Sequence, residues 1–216
     1  MIFRDRAEAG ARLGAHLRAR LAEREADVVV LGIPRGGVVV AAPVAAALEA
    51  TLDVTVPRKL GAPDNPELAI GALAVVDGED IVVLNERTIE YLRVPREHVE
   101  RTVRAERAEI ARRLREYRGT RAAPALAGRW VVIVDDGLAT GLTAQAAAAA
   151  VARQKPRRVT VAVPVAPASA IREFAARGVV LEALATPTPF EAVGRFYESF
   201  APVEDDEVRA LLRLAD

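Results

Sequence analysis

The stretch Val131-Val132-Ile133-Val134-Asp135-Asp136-Gly137-Leu138-Ala139-Thr140-Gly141-Leu142-Thr143 decides how the rest of the chain is interpreted. Its four apolar residues predict a strand that is buried on both faces, and the alanine-rich segment after it predicts a helix. The loop between them brings backbone N–H groups to a helix N-terminus, which favours anion binding. A phosphate held beside two carboxylates suits a ligand that also carries vicinal hydroxyls or a metal. A sugar phosphate fits that description.

A plain structural corner and the common phosphate-binding loops match this stretch less completely. An ordinary strand–turn–helix corner with an N-capping Thr requires one cap and no second carboxylate. In a nucleotide-binding P-loop the glycines are further apart and a lysine follows, whereas Gly137 and Gly141 are one residue too close and are followed by Leu142. The sequence GIPRGG at residues 32–37 also lacks the spacing of the dinucleotide-binding fingerprint.

Composition limits the class of protein. The 216 residues suffice for one good core, and the scarcity of aromatic residues, 4%, means that the core consists mostly of Val, Leu, Ile and Ala. The formal net charge is zero, so we expect neither nucleic acid nor membrane as a partner. The chain has no cysteine, and we find no apolar stretch long enough to cross a bilayer. A soluble cytoplasmic protein is therefore the expectation.

Strands and helices alternate along much of the chain, which predicts an α/β fold with parallel strands and right-handed crossovers. The predicted helices of this unit cover residues 5–25, which Asp5 can cap, 38–50 and 168–177, and the signature strand and its helix together occupy 130–153. The other predicted strands cover residues 27–33, 54–56, 158–163 and 179–185.

The remaining segments carry different patterns. Turn-forming residues predict a loop over 58–67, followed by short strands at 69–76 and 80–84 with a turn at Asp77-Gly78. The highly charged segment 86–118 predicts helices, the second of which begins near Pro95. A linker follows at 118–128, and the chain closes with an amphipathic helix over 205–216.

The motif of four apolar residues, two acids, three variable residues and Thr-Gly-x-Thr resembles the signature of the type I phosphoribosyltransferases. The whole chain is similar to a bacterial group within that family. The resemblance implies a three-layer α/β fold with a parallel sheet, in one domain over residues 1–216. Its core would span about 27–186, with a helical insert at about 86–118. A small hood would form from the tail, about 187–216, together with the N-terminus.

The resemblance also implies roles for the motif residues. Asp135 and Asp136 would be catalytic and would hold the ribose 2′- and 3′-hydroxyls of phosphoribosyl pyrophosphate, because carboxylates accept strong hydrogen bonds. They could also support positive charge that develops on the sugar. The residues that would wrap the ribose 5′-phosphate are Gly137, Leu138, Ala139, Thr140, Gly141 and Thr143.

Two further segments match the family's pyrophosphate contacts. Arg35, Gly36 and Gly37 follow the first strand and would bind pyrophosphate, although a tight turn with an exposed Arg would look the same. Arg58 and Lys59 follow the second strand, and the resemblance makes them catalytic, with Lys59 on the pyrophosphate. The loop beyond them would close over the substrate and exclude water. The alternative for this pair is a solvated basic strand end.

The aromatic tail is the candidate base pocket. Phe190, Phe196 and Tyr197 could stack on a base, as could Phe200, or they could fasten the terminal helix to the core. Family members that act on 6-oxopurines carry an acid where this chain has Ala139, which speaks against hypoxanthine or guanine. Adenine-type members carry Leu-Ala-Thr-Gly, as here, but that local match does not establish the base.

The predicted function is a Mg²⁺-dependent phosphoribosyltransferase. It would transfer the phosphoribosyl group to a nitrogen nucleophile such as a nucleobase, in nucleotide salvage, and act as a homodimer. Magnesium would bind through pyrophosphate oxygens and ribose hydroxyls, and no protein residue is predicted to ligate it directly. Two alternatives stay open: a non-catalytic sensor of phosphoribosyl pyrophosphate or nucleotides, and a hydrolase that uses the same pocket with water as acceptor.

Overall fold

The computed structural model describes residues 2–20 and 27–214. In chain order its strands are Val28–Gly32 (β1), Thr51–Val54 (β2), Arg58–Ala62 (β3), Asn65–Val76 (β4), Glu79–Leu84 (β5), Trp130–Val134 (β6), Arg158–Val165 (β7) and Val180–Ala185 (β8). Its helices are Arg6–Arg20 (α1), Gly36–Leu48 (α2), Glu86–Leu92 (α3), Arg96–Arg118 (α4), Leu142–Arg153 (α5), Ala168–Ala175 (α6) and Asp205–Leu214 (α7). One 3₁₀ turn covers Val193–Phe196.

A parallel sheet of five strands forms the centre of the molecule. Its strands lie in the order β2-β1-β6-β7-β8, and every neighbouring pair is parallel. β1 and β6 are buried along their whole length, as expected of β-branched runs that are covered on both faces. The predicted α/β fold with a parallel sheet is therefore confirmed, although β2 lies at residues 51–54 and not at 54–56.

Helices cover both faces of this sheet and complete the three layers. α1, α2 and α7 pack Leu13, Val44 and Leu212 into the core on one face. α5 and α6 pack Ala147 and Phe174 into the core on the other face. A side-chain oxygen of Asp5 accepts a hydrogen bond from the Glu8 N–H at 2.8 Å, so Asp5 caps α1 as predicted. The predicted part of this helix at 21–25 lies outside the described residues.

A second, antiparallel sheet contains β3, β4 and β5 in that order. The prediction of a loop over residues 58–67 was wrong, because β3 pairs with β4 from Arg58↔Leu73 to Ala62↔Asn65 and the turn is confined to residues 63–64. Leu60 and Ala62 bury their side chains from β3, and this burial stabilises a hairpin whose sequence is otherwise rich in turn formers. The sheet packs its alanines, Ala72 and Ala74, against α5.

The charged segment forms two helices, α3 and α4, as predicted, and α4 lies against the β3–β4 hairpin. The Arg58 Nε donates to Glu106 Oε2 at 2.6 Å, and His98 Nε2 lies 2.9 Å from the Gly61 carbonyl oxygen. The charged segment thus lies beside the hairpin that carries Arg58 and Lys59.

Phe3 pairs with residues 196–198 next to the signature loop, where the Tyr197 hydroxyl contacts Asp136. The Phe3 N–H donates to the Phe196 carbonyl and the Glu198 N–H donates to the Phe3 carbonyl, each at 2.8 Å. The Phe3 and Tyr197 rings lie 5.5 Å apart. We call residues 187–214 the hood and Ile2–Asp5 the N-terminal segment. Among the described residues, no helix combines the length and the apolar character that a membrane span requires.

Candidate functional site

The signature loop leads from the carboxyl end of β6 into α5. Asp135 and Asp136 follow the last strand residue, Val134, and α5 begins at Leu142. Gly141 occupies the N-cap position with a φ of 70°, which a residue with a side chain rarely adopts, and no side chain caps this helix. The alternative of a simple corner with an N-capping Thr is therefore not what forms here. The uncapped N–H groups of the first turn of α5 remain available to an anion.

This loop lines a cleft with a volume of about 200 Å³. The predicted phosphate-binding residues lie in its wall, together with the carboxylate of Asp135 and the basic residue Lys59. The lining residues that the sequence had singled out are Asp135, Lys59, Gly137, Leu138, Ala139, Thr140, Gly141 and Thr143. Residues from β3, the loop after β6 and the start of α5 thus meet in one place.

The two acids are hydrogen-bonded in different ways. Asp135 Oδ1 accepts from the Asp136 N–H at 2.8 Å, and Asp136 Oδ2 accepts from the Arg6 Nε at 2.8 Å. The Tyr197 hydroxyl donates to the main-chain carbonyl of Asp136 at 2.6 Å. No described residue donates a hydrogen bond to Asp135 Oδ2 or Asp136 Oδ1. Each carboxylate therefore keeps one oxygen for a ligand.

Burial makes ionisation of this pair costly. It raises the pKa of the Asp135 carboxyl well above its ordinary value, and the negative charge of Asp136 raises it further. Burial also raises the pKa of Asp136, although the hydrogen bond and the positive charge of Arg6 oppose that rise. Groups with pKa values perturbed in this way, next to a cleft, are typical of functional sites.

The predicted pyrophosphate residues lie beside the acids. α2 starts at Gly36, so Gly36 and Gly37 belong to its first turn, two residues before the predicted helix start at 38. A Cβ on Gly37 would come within 2.7 Å of the Val134 carbonyl oxygen, so glycine allows the helix start to approach β6 closely. Arg35 points elsewhere, because its guanidinium lies 3.5 Å from Glu204 in the hood. The Pro34–Arg35 peptide bond is cis.

Arg58 and Lys59 point in opposite directions, as neighbouring strand residues do. Lys59 lines the cleft, and its Nζ donates to Glu67 Oε2 at 2.9 Å. That contact lowers the pKa of Glu67. Arg58 instead pairs with Glu106 on α4. The structure therefore brings Lys59 to the predicted site and does not bring Arg58 there.

The aromatic residues of the hood pack mostly against one another. Tyr197 is buried with its ring 5.0 Å from that of Phe200, and Phe190 stacks on Phe196 at 5.3 Å. None of these four lines the cleft as the described residues define it; the hood contributes Val193. Val193 carries no signal in the sequence, because it is an ordinary apolar residue between more conspicuous aromatic ones.

Arg6 is a second site residue that the sequence does not reveal. Its charge is unremarkable in a helix with so many charged residues, and 130 positions separate it from Asp136. Pairing of this kind depends on contacts between segments that are far apart in the sequence, which no local pattern indicates.

The described side chains offer few ligands for a metal ion. Within residues 2–20 and 27–214, no three His, Cys, Asp or Glu side chains are grouped so that they could hold one. Asp135 lines the cleft and Asp136, which follows it, does not. Each of the two carboxylates has one oxygen without a hydrogen-bond donor, and such oxygens suit hydroxyl groups or a cation that a ligand brings with it.

Comparisons with known proteins point to one family. Residues 5–177 match the family model described as "Phosphoribosyl transferase domain". The protein named "Putative phosphoribosyl transferase Rv0571c" from Mycobacterium tuberculosis is 43% identical over 212 residues, which make up 98% of this chain and 46% of the relative. The chain thus spans about half the length of the curated relatives it matches.

Solved structures show the same fold. TT1426 from Thermus thermophilus is 44% identical, with a TM-score of 0.80 and 98% of each chain covered. The AQ2163 protein from Aquifex aeolicus is 15% identical with a TM-score of 0.50, covering 82% of this chain and 71% of that one, and is similar in fold alone. The family match, which covers most of the chain around the signature loop, leads to one conclusion: the chain belongs to the phosphoribosyl transferase domain family.

Proposed function

We propose that this chain transfers the 5-phosphoribosyl group of phosphoribosyl pyrophosphate to a nitrogen nucleophile and releases pyrophosphate. One observation carries the proposal: two adjacent carboxylates, each with one oxygen that has no hydrogen-bond donor, begin the loop that leads from β6 to the uncapped N-terminus of α5. The open oxygens of Asp135 and Asp136 suit the two vicinal hydroxyls of a ribose. The helix terminus suits its 5′-phosphate.

In the proposed reaction, the bond between the anomeric carbon and the pyrophosphate oxygen breaks and a bond to the acceptor nitrogen forms. The pyrophosphate leaves with the electron pair of the broken bond, and the nitrogen loses a proton to its surroundings. Positive charge develops on the sugar, and the carboxylates of Asp135 and Asp136 would stabilise it if they hold the ribose hydroxyls as proposed. Positioning of the two reactants supplies much of the remaining rate enhancement.

Lys59 and the first turn of α2 are the proposed pyrophosphate contacts. Lys59 lines the cleft from β3, and its exposed partner Glu67 could be exchanged for a phosphate oxygen at little cost. Gly36 and Gly37 supply N–H groups at a helix start that adjoins Asp135 and Asp136.

Magnesium is the proposed cofactor. It would be held by pyrophosphate oxygens and ribose hydroxyls, while Asp135 and Asp136 hold those hydroxyls in turn. When bound, Mg²⁺ neutralises charge on the leaving pyrophosphate. The oxygens of Asp135 and Asp136 that have no hydrogen-bond donor suit hydroxyl groups that are shared with such an ion.

A nucleobase is the proposed acceptor class. The exposed loop residues Ala139 and Thr140 provide no acid that could assist proton transfer on a 6-oxopurine. Val193 of the hood offers an apolar contact where a base could lie. These features favour an acceptor whose nitrogen is nucleophilic without such an acid.

Pyrophosphate release in the presence of phosphoribosyl pyrophosphate, Mg²⁺ and a panel of bases tests the proposal. We expect pyrophosphate release to depend on one class of base. In Asp136→Asn the rate of release should fall by ~10²-fold or more, because the variant loses a charge-assisted contact to the reacting sugar. Release without any base would indicate hydrolysis. No release with any base, or a fully active variant, would contradict the proposal.

A further inference from the structure

Arg6, the first residue of α1, joins separate parts of the molecule at one point. Its Nε donates to Asp136 Oδ2 at 2.8 Å and its Nη1 donates to the Ala201 carbonyl at 2.8 Å. Its guanidinium carbon lies 3.8 Å from the centre of the Phe200 ring. The guanidinium thus connects α1, the acid that follows β6 and the hood.

The pair between Arg6 and Asp136 differs from the ion pairs of α4 in its surroundings. The two side chains are 11% and 18% exposed, whereas the side chains that pair with one another along α4 are between 23% and 89% exposed. A Cβ on Gly36 would come within 2.7 Å of the Arg6 Nε and closer still to Asp136 Oδ2. The start of α2 therefore leaves room for this pair, which lies against the proposed pyrophosphate turn.

The hydrogen bond from Arg6 leaves one oxygen of Asp136 without a donor. Arg6 occupies Oδ2, so Oδ1 is the oxygen left for a ribose hydroxyl, as Oδ2 is in Asp135. Without the guanidinium, the carboxylate would be free to rotate and would stand half-buried beside a second acid with nothing to offset its charge. The orientation and the charge of Asp136 thus both depend on Arg6.

The same guanidinium connects the site to the hood. Phe200 and Ala201 hold it from one side, and Val193 of the same hood lines the cleft. A displacement of the hood on binding an acceptor would move the contacts that orient Arg6. Sugar binding and acceptor binding would then be coupled through one side chain.

We propose that Arg6 is a positioning residue for ribose: it holds Asp136 with Oδ1 presented to a ribose hydroxyl and couples that orientation to the hood. This inference rests on the proposed function, in that it assumes that the cleft binds a phosphorylated ribose. Arg6 itself makes no contact with the sugar and acts through Asp136.

The test is calorimetric titration of ribose 5-phosphate, and separately of inorganic phosphate, into the whole chain and its variants. We expect Arg6→Gln to weaken ribose 5-phosphate binding by about tenfold or more, since an oriented, charged contact is lost. Phosphate binding at the loop should stay within about twofold of wild type, because Arg6 contacts Asp136 and not the phosphate-binding residues after it. A merely structural role would weaken both ligands together.

Two further variants distinguish the effect of the Arg6 charge from the effect of its orientation. Arg6→Lys keeps the charge but loses the planar guanidinium that contacts Asp136, Ala201 and Phe200 together, so it should recover a part of the lost affinity. Phe200→Leu leaves Arg6 intact and removes the ring that holds it, so it should weaken ribose 5-phosphate binding by about two- to fivefold. If Arg6→Gln fails to fold, these two variants carry the test.

Arg4→Gln is the matched control, because Arg4 is 71% exposed and pairs with Asp5 away from the cleft. It should bind both ligands as the wild type does. Normal ribose 5-phosphate binding by Arg6→Gln, or an equal loss of both ligands, would overturn the inference while the proposed function stands. Failure of the wild type to bind ribose 5-phosphate at all would overturn the proposed function and the inference with it.

Discussion

Two neighbouring carboxylates, Asp135 and Asp136, are the residues in which stability and function conflict most directly. Burial raises the pKa of both, so keeping them ionised lowers the stability of the fold. A corner that served structure alone would not retain such a pair. Their presence is explained if a ligand uses the charge.

This conflict predicts that Asp135→Asn is more stable than the wild type at neutral pH. Asn keeps the oxygen that accepts from the Asp136 N–H and removes the buried charge. We expect the midpoint of thermal unfolding at pH 7.5 to rise by roughly 2–4 °C, the shift that ~1 kcal/mol produces in a domain of this size. Ligand binding should become weaker at the same time.

The pH dependence of that gain follows from the direction of the pKa shift. The folded-state pKa of Asp135 lies above its ordinary value of 3.8, so the folded chain takes up the proton more readily than the unfolded one. The stability gain of the variant should therefore be largest at neutral pH and shrink as the pH falls toward 3.8. Asp64→Asn, at an exposed position, is the control. A gain independent of pH would contradict this explanation.

Lys59 and Arg58 form a natural pair of test and control. Lys59→Ala should weaken pyrophosphate binding about tenfold, the effect of ~1.4 kcal/mol, and leave ribose 5-phosphate binding nearly unchanged. Arg58→Ala should affect neither ligand strongly, because its guanidinium pairs with Glu106. Calorimetry on both variants measures this. An equal loss of the two ligands in Lys59→Ala would show that Lys59 does not contact pyrophosphate.

At the scale of elements, α4 and α7 contact each other, and α7 also packs against the main core. The Tyr117 hydroxyl of α4 donates to Asp205 Oδ1 of α7 at 2.5 Å, and burial together with this contact raises the pKa of Tyr117 to about 12. α7 in turn packs Val208 and Leu212 into the main core. The last helix of the hood is thus held by burial as well as by polar contacts.

Shortening a buried side chain of α7 should therefore lower the free energy of unfolding. We expect Leu212→Ala to lower the free energy of unfolding by ~2–5 kcal/mol, because the side chain is 1% exposed and leaves a cavity. Arg213→Ala, at the neighbouring exposed position, should change it by less than about 0.5 kcal/mol. Chemical denaturation followed by circular dichroism measures both. Equal effects would mean that α7 is not packed as described.

The elements that can be predicted best from sequence are those whose pattern is local. The run Val131–Val134 is buried on both faces, and its strand, loop and helix lie where the motif placed them. The hairpin at 58–67 was missed because Pro63, Asn65 and Pro66 are typical of turns, whereas the pairing with β4 depends on residues further along the chain. Contacts between distant segments override local preference in such cases.

At the scale of the whole molecule, charge is balanced and much of it is paired. The chain carries 30 basic and 30 acidic residues. Along α4, arginines pair with glutamates one turn away, as Arg96 does with Glu100 and Arg112 does with Glu116. Pairing of this kind offsets the positive field that nucleic acid would need from this helix.

We therefore expect weak binding to nucleic acid. A labelled duplex of about 20 base pairs should bind with a dissociation constant no tighter than ~10⁻⁵ M at about 0.15 M salt, within the range of non-specific contacts. Fluorescence anisotropy at several salt concentrations tests this. Tight binding that falls steeply with salt would contradict it and would favour a regulatory role on nucleic acid.

At this scale, no sequence pattern indicates that the N-terminal segment and the hood meet next to the site. Arg6 reaches Asp136 because Phe3 pairs with Phe196 and Glu198, and the contacts of Phe3 span nearly the full chain. The acids could be predicted from a motif, but the residue that orients one of them could not.

Calorimetric titration of Mg²⁺ and phosphoribosyl pyrophosphate into the wild type and Asp136→Asn asks whether these carboxylates hold a phosphorylated ribose. We expect saturable binding to the wild type that the variant loses, while circular dichroism shows the variant to be folded. No binding to the wild type, or equal binding to both, would contradict the role given to Asp135 and Asp136.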